Sequence, residues 1–430
     1  VYVTEIKISD VKGFTGARDV DLRLTRPDGS HAGWTVLAGR NGSGKTTILR
    51  AIALALAGPD VALSLTLDFE GWVTDERAQA TVTTGFTQDA DDVSTDDRPL
   101  LLGTVISWRP SGHHIGRAMM IGHTPDAKLG PWAPDLQGWF YAGYGPFRRL
   151  VGGSAEAQRL MQRPGPVSRL ATLFNEDASL AEGVTWLIDL HLRRLEGNRQ
   201  AAALLTFALR LLNDGLLPDG FQVDRVDSDG LWARRDGRRI PMREMSDGYR
   251  AVTALVLDLV RQMSAAFPES APSAAITRSG VVLIDEIDAH LHVSWQQKIG
   301  GWLKAHFPNI QFIVTTHSPY ICQSADPGGL IRLPGVDEDA SPAVVNDDLY
   351  ERVVYGSGDD ALLSDLFGIE TPYSPRAEAM RRRLVVLERA VLRGQATPEE
   401  EGEFEELQET LNSSLTARVD EVAARIRPAE

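Results

Sequence analysis

The sequence predicts an α/β fold centred on a parallel sheet, and three stretches predict it. Trp34-Thr35-Val36-Leu37-Ala38 is an apolar run that feeds a glycine-rich turn, and Thr47 to Leu56 then repeats apolar residues at helical spacing until Gly58-Pro59. Val281-Val282-Leu283-Ile284 is an unbroken apolar run that ends in Asp285-Glu286. Ile310-Gln311-Phe312-Ile313-Val314-Thr315 is another, and it ends in Thr316-His317. Strands buried on both faces read as continuous apolar runs. Polar residues straight after such strands lie at the carboxyl edge of the sheet, where α/β folds bind ligands.

The turn after the first strand is Gly39-Arg40-Asn41-Gly42-Ser43-Gly44-Lys45-Thr46-Thr47, which fits the phosphate-binding P-loop pattern G-x-x-x-x-G-K-[ST]. The strand before it and the helix after it are the context that pattern requires. Gly39, Gly42 and Gly44 let backbone N–H groups, including those of Asn41, Ser43 and Thr47, curl round a phosphate. The helix N-terminus adds partial positive charge. Lys45 reaches the β- and γ-phosphates, and Thr46 offers a hydroxyl to Mg²⁺.

Two further residue sets suit the same chemistry. Asp285, at the end of its strand, can hold Mg²⁺ through water, and Glu286 beside it can take a proton from an attacking water. His317 can sense the γ-phosphate, or serve as a buried, hydrogen-bonded histidine. Met245-Ser246-Asp247-Gly248-Tyr249-Arg250 opens an apolar helix, so Ser246 and Gly248 offer a hydroxyl and a backbone N–H at its positive end. Ser246 taken alone is a good N-cap.

The remaining elements follow in order. Residues 3–9 alternate as a strand and Val20, Leu22 and Leu24 repeat the pattern, which makes a β-hairpin ahead of the P-loop strand. Strands are expected at 61–69, 80–87, 101–108, 115–121 and 139–144, forming a mostly antiparallel β-lobe interrupted by an acidic loop at 87–98. His113, His114 and His123 fall in this lobe with no close carboxylate, so they read as surface residues rather than metal ligands. Tyr144-Gly145-Pro146-Phe147-Arg148-Arg149 closes the lobe, either as a rigid turn or with its arginines facing phosphate. The period turns helical from 155 to 217, with one helix over Leu180 to Leu192 and another over Ala203 to Leu212. A β-hairpin region follows at 221–237. Residues 360–368 read as a short helix. Met380 to Val391 and then Phe404, Leu407, Leu411, Leu415, Val419, Val422 and Ile426 form two apolar helical stripes, the second begun by Thr397-Pro398-Glu399-Glu400 as a capping box. They predict a C-terminal helical hairpin that packs on the core or docks another protein.

Composition sets limits. A chain of 430 residues suggests two or three domains. We divide it into 1–150 (P-loop lobe with β-subdomain), 151–218 (helical insertion), 219–335 (second lobe) and 336–430 (C-terminal helical region). A net charge of −15 argues against indiscriminate DNA binding, which rests on phosphate neutralisation. Arg148-Arg149, Arg193-Arg194, Arg234-Arg235, Arg238-Arg239 and Arg381-Arg382-Arg383 are the candidates for a local basic groove, each with a solvated face as the plainer reading. Cys322 is the single cysteine, so no internal disulfide is expected and a cytoplasmic location is. No membrane span is expected.

The order P-loop, Ser246-Asp247-Gly248, Asp285-Glu286, Thr316-His317 resembles the Walker A, signature, Walker B and H-switch of ABC-class ATPases. Ile6 to Phe14 and Ile284 to His292 resemble the soluble branch that contains SMC, RecF-type and OLD-type proteins. Tyr144 to Arg149, Ala171 to Phe174, Ser246 to Arg250 and Leu363 to Gly368 resemble bacterial anti-phage defence ATPases of the Septu and retron-associated kind. The resemblance implies an ABC-type ATPase head with an antiparallel β-lobe, a helical insertion and a C-terminal helical hairpin. It implies ATP and Mg²⁺ sandwiched in a homodimer or higher even oligomer, with Lys45, Thr46, Asp285, Glu286 and His317 from one copy and Ser246 and Gly248 from the other. Asp288 is then placed to cross the dimer interface. A partner effector, a nuclease or similar protein, is implied. An autonomous DNA-repair clamp and a nucleotide-gated scaffold with little turnover are the alternatives. Asp247 departs from the Ser-Gly-Gly of transporters. Gln137, Gln158 and Gln162 are all candidates for the Q-loop, and Lys12 and Phe14 for the adenine contact. The segment after Pro319 shows no strand-borne acidic cluster, so no nuclease domain is expected in this chain.

Overall fold

A computed structural model describes residues 1–65, 69, 71–75, 77–89, 92, 103–110, 118–123, 132, 138–150, 152–162, 164–369, 371 and 373–411. They form two compact units, Val1–Phe367 and Gly368–Glu430. Strands in the first unit are β1 (Tyr2–Ser9), β2 (Val20–Arg23), β3 (Gly33–Gly39), β4 (Ala80–Thr87), β5 (Gly103–Pro110), β6 (Ala118–His123), β7 (Tyr141–Tyr144), β8 (Gln222–Asp227), β9 (Gly230–Arg235), β10 (Arg238–Pro241), β11 (Gly280–Ile284), β12 (Ile310–Thr316), β13 (Leu330–Leu333) and β14 (Ala343–Val344).

The core sheet runs β14-β13-β3-β12-β11-β7. All its pairings are parallel except β13 with β14. β12 is buried along its whole length, as its apolar run requires. Thr316 pairs with Ala38, and Ile284 with Val314. Three adjacent strands therefore end side by side, and Gly39, Asp285 and His317 share one edge. The β-lobe is an antiparallel sheet in the order β2-β1-β4-β5-β6, and β10-β9-β8 is a small separate sheet.

Three expectations are corrected. Residues 139–144 were assigned to the antiparallel lobe, but β7 pairs parallel with β11, from Val281↔Tyr141 to Ile284↔Tyr144. All four β7 residues are buried, which a strand covered on both faces requires. The strand expected at 61–69 is instead helical through Leu65: α1 spans Lys45–Leu65 across a kink at Gly58. Pro59 has no N–H to give to Ala55, four residues back. The indole of Trp132 donates to that Ala55 carbonyl at 2.9 Å and lets the helix continue. α1 is also long and apolar enough to cross a membrane, contrary to the expectation of no such run, but 67% of that stretch is buried inside the fold. His113 and His114 and most of the acidic loop lie outside the described residues.

The helical insertion holds α2 (Ala155–Met161), α3 (Pro166–Phe174), α4 (Glu182–Leu195) and α5 (Arg199–Leu212), and α6 (Asp247–Ala266) follows the small sheet. A buried polar cluster joins the insertion to the core. Arg261 donates to Asp258 at 3.0 Å and to the Met161 carbonyl at 2.8 Å, and Tyr144 donates to Asp258 at 3.2 Å. The Arg261 and Asp258 side chains are 4% and 1% exposed, so removing either strands its partner. Asp258→Ala is expected to cost about 3–5 kcal/mol, read as a lowered urea midpoint with unchanged slope.

In the second unit, Pro375–Leu392 is helical and capped by Ser374. Thr397 and Glu400 exchange the expected capping-box bonds, at 2.9 and 3.2 Å, and residues 398–411 are helical. Arg383 pairs with Glu403 at 2.6 Å across the two helices. Leu415, Val419, Val422 and Ile426 lie outside the described residues. The short helix read over 360–368 is Gly358–Leu362, followed by turns.

Several of the clustered arginines are spent on nearby acids: Arg193 on Asp189, Arg234 and Arg239 on Asp224, Arg235 on Asp236, Arg382 on Glu378. Their charge is largely balanced within the chain.

Candidate nucleotide-binding site

The P-loop leaves β3 at Gly39 and enters α1 at Lys45, as its residues predict. Gly42 and Gly44 have φ of 78° and 94°, the left-handed region open to glycine. A Cβ on Gly44 would also lie 2.4 Å from the Phe14 ring, so the loop rests directly on that aromatic floor. Lys45 Nζ donates to the Gly39 and Arg40 carbonyls at 2.9 and 3.0 Å, folded back over the loop. Ser43 Oγ is buried with no hydrogen-bond partner. A glycine-rich loop at a helix N-terminus, with an orphaned hydroxyl and a buried ammonium, suits a phosphate chain.

Burial pulls the Lys45 ammonium down to about 8, against the pull of Asp285 and Glu286. The unfolded chain holds that proton up to the usual lysine range, so between these limits the unfolded state binds more protons and folding is favoured by rising pH. Lys45→Met is therefore expected to be more stable than the wild type below pH 8, with the gap closing toward pH 10.5. Paired thermal melts at pH 7 and pH 9.5 check this, and a gap that widens with pH would refute it.

Thr46 Oγ1 donates to Asp285 at 2.8 Å. Thr315 Oγ1 donates to the same carboxylate at 2.6 Å and accepts from Glu286 N at 2.7 Å, so one β12 hydroxyl orients both acids. Glu286 sits at φ 45°, a costly conformation for a non-glycine residue. Its carboxyl is raised by burial, then by Asp285 and Asp288. His317 is lowered by burial and by Lys45, which keeps it neutral near pH 7. The residues present fit Mg²⁺: Thr46 would ligate it directly and Asp285 through water, in place of their mutual hydrogen bond.

Arg148 was read as either a turn residue or a phosphate contact. The structure gives it another task. It is 3% exposed, and its guanidinium donates to the carbonyls of Gly145 and Asp285 at 2.9 Å, Glu286 at 3.0 Å, Ile287 at 3.3 Å and Ala289 at 3.4 Å. It pins the turn that carries both carboxylates. Asp288 accepts within its own chain from Thr316 Oγ1 and from His317 N. Gln158 donates to the Gly152 carbonyl, and Gln162 caps α2, so neither has a bond to the P-loop. Gln137 lies outside the described residues.

Ser246 stands at the N-cap of α6, yet its side chain makes no capping hydrogen bond. A Cβ on Gly248 would lie 2.6 Å from the His290 carbonyl, so glycine is required where α6 meets the loop after the carboxylates. Ser246 and Gly248 line a cavity of about 340 Å³ with His290, Leu291 and Trp295. Gly42, Ser43, Gly44 and Thr47 line a different one, also about 340 Å³, with Lys12, Phe14 and Val336. Lys12 and Phe14, the candidates for an adenine contact, thus border the P-loop.

The P-loop between β3 and α1, with two acids and a histidine at the ends of the neighbouring strands, forms a P-loop core, and partial likenesses to known proteins follow the same stretches. Residues 5–90 match an AAA-domain family, and residues 192–323 match another AAA-domain family whose description adds AbiEii toxin and Type IV TA system. The "Retron Ec83 probable ATPase" of Escherichia coli is 47% identical over 83 residues, covering 19% of this chain and 15% of that protein. Septu protein PtuA of Bacillus mycoides is 25% identical over 316 residues, 72% of this chain and 38% of that one. Septu protein PtuA of Bacillus thuringiensis is 31% identical over 170 residues, 37% and 41% of the two chains. The chain thus spans less than half the length of these relatives. Among solved structures, the SMC head domain from Thermotoga maritima aligns over 80% of this chain and 98% of its own, with a TM-score of 0.41 and 16% identity. The chain is similar, over parts of its length, to Septu and retron ATPases.

Proposed function

We propose that the chain binds ATP with Mg²⁺ and hydrolyses it between two copies of itself, and that this cycle governs a separate effector protein, a nuclease, in defence against phage. Lys45 and the loop N–H groups hold the phosphates. Glu286 takes the proton of the attacking water, Asp285 and Thr46 hold the metal, and neutral His317 offers a hydrogen bond at the γ-phosphate. When bound, Mg²⁺ neutralises charge on the phosphate oxygens.

The separation of the two cavities carries the two-copy reading. The phosphate cradle lacks the signature residues, and Ser246 presents an unengaged hydroxyl elsewhere on the same chain. A second copy supplies to each cradle what the first lacks, and a two-fold arrangement completes both sites at once. The names of the relatives support the defence role. Net charge and the balanced arginines favour a protein partner over an autonomous DNA clamp.

The test is purification of the Glu286→Gln protein from its native host with ATP and Mg²⁺ present. A stoichiometric protein partner is expected. Recovery of DNA alone would move the reading to a repair-type clamp.

A further inference from the structure

A cavity of about 570 Å³ opens at the opposite edge of the core sheet from the nucleotide site. Trp139, just before β7, and Arg278, just before β11, line it, together with Phe267 and Ser270 beyond α6 and Arg169 of α3. The length of β11 separates Arg278 from Asp285, roughly 20 Å at the rise of an extended chain.

Arg169 is the unexplained residue. Its Nε is buried with no hydrogen-bond partner, and its guanidinium lies 5.0 Å from the Phe140 ring centroid. It makes no ion pair among the described residues. Asp258, the carboxylate whose charge reaches it, is already held by Arg261 and Tyr144. The Arg169 side chain is half-buried, and its orphaned, buried Nε donor calls for a partner. Arg278 lines the same space, donates to Ser270 Oγ at 3.3 Å and stands 5.8 Å from the Phe267 ring. Glu269 is the carboxylate among the lining residues.

We propose that this cavity binds a small phosphate-bearing ligand, with Arg169 and Arg278 on the phosphate and the Trp139 and Phe267 rings beside its organic body. Guanidinium forks match phosphate oxygens, and the volume lies within the roughly 300–1,000 Å³ of small-molecule sites. The ligand would sit at the far end of α6 from Ser246. The proposal is independent of the nucleotide reading.

The test uses Lys45→Ala protein, so that the P-loop does not capture the probes. Inorganic phosphate and uridine 5′-monophosphate are titrated separately by calorimetry at constant ionic strength. Saturable binding is expected, weakened at least about tenfold by adding Arg169→Met, which keeps the stem and removes the charge. Arg278→Gln in the same background gives a second reading should Arg169→Met not fold. Tighter binding of the nucleoside monophosphate identifies an organic phosphate; equal binding identifies the free anion. Absence of saturable binding, or binding untouched by both substitutions, would overturn the proposal and leave the P-loop assignment intact.

Discussion

Glu286→Gln is expected to lower steady-state ATP turnover at least about 100-fold while leaving ATP binding within a few-fold of wild type. The amide keeps the volume and one acceptor but cannot take a proton at neutral pH. Glu286 is suited to that task by its setting. Its backbone N–H is fixed by Thr315, and its carboxyl is raised by burial and by Asp285 and Asp288. The proposed metal and phosphate contacts lie on Thr46, Asp285 and Lys45, so binding is expected to survive. The variant should accumulate in the ATP-bound state. Turnover at the wild-type rate would remove Glu286 from the chemistry.

Arg148→Ala is expected to lower kcat about 10- to 100-fold with little change in KM for ATP, and to destabilise the fold by about 3–5 kcal/mol. The guanidinium is the common donor to carbonyls at Gly145, Asp285, Glu286, Ile287 and Ala289. Without it these acceptors lose a buried partner, and the Thr315 bond to the Glu286 N–H is left to hold the turn at its positive φ. Arg148→Lys recovers only part of the loss, because an ammonium cannot span the same fork. A rise in KM with kcat unchanged would mean that Arg148 serves phosphate binding instead.

The position of the candidate site residues at one sheet edge was legible because it rests on short, local patterns. An apolar run that ends in Gly-rich residues and Lys-Thr, or in Asp-Glu, or in Thr-His, encodes both a buried parallel strand and the residue delivered at its edge. Arg148 was not legible in the same way. Four of its five carbonyl partners are more than 130 residues away, and carbonyls leave no side-chain signature. The intrachain bond of Asp288 leaves no signal in the sequence for a similar reason, since its partner Thr316 comes from a neighbouring strand. Trp139 to Tyr144 was misplaced because its neighbours in sequence are antiparallel strands. The unbroken apolar character of the run was the signal for a parallel strand buried on both faces. The continuation of α1 past Pro59 depends on Trp132, a contact that helix periodicity cannot reveal.

The central claim is that ATP joins two copies, each lending Ser246 and Gly248 to the other's P-loop. The most direct measurement is the molar mass of Glu286→Gln protein by light scattering, without nucleotide, with ADP·Mg²⁺ and with ATP·Mg²⁺. The account predicts that ATP doubles the mass of the nucleotide-free species, that ADP does not, and that adding Ser246→Arg abolishes the doubling without abolishing ATP binding. A mass unchanged by saturating ATP, or a doubling indifferent to Ser246→Arg, would contradict it.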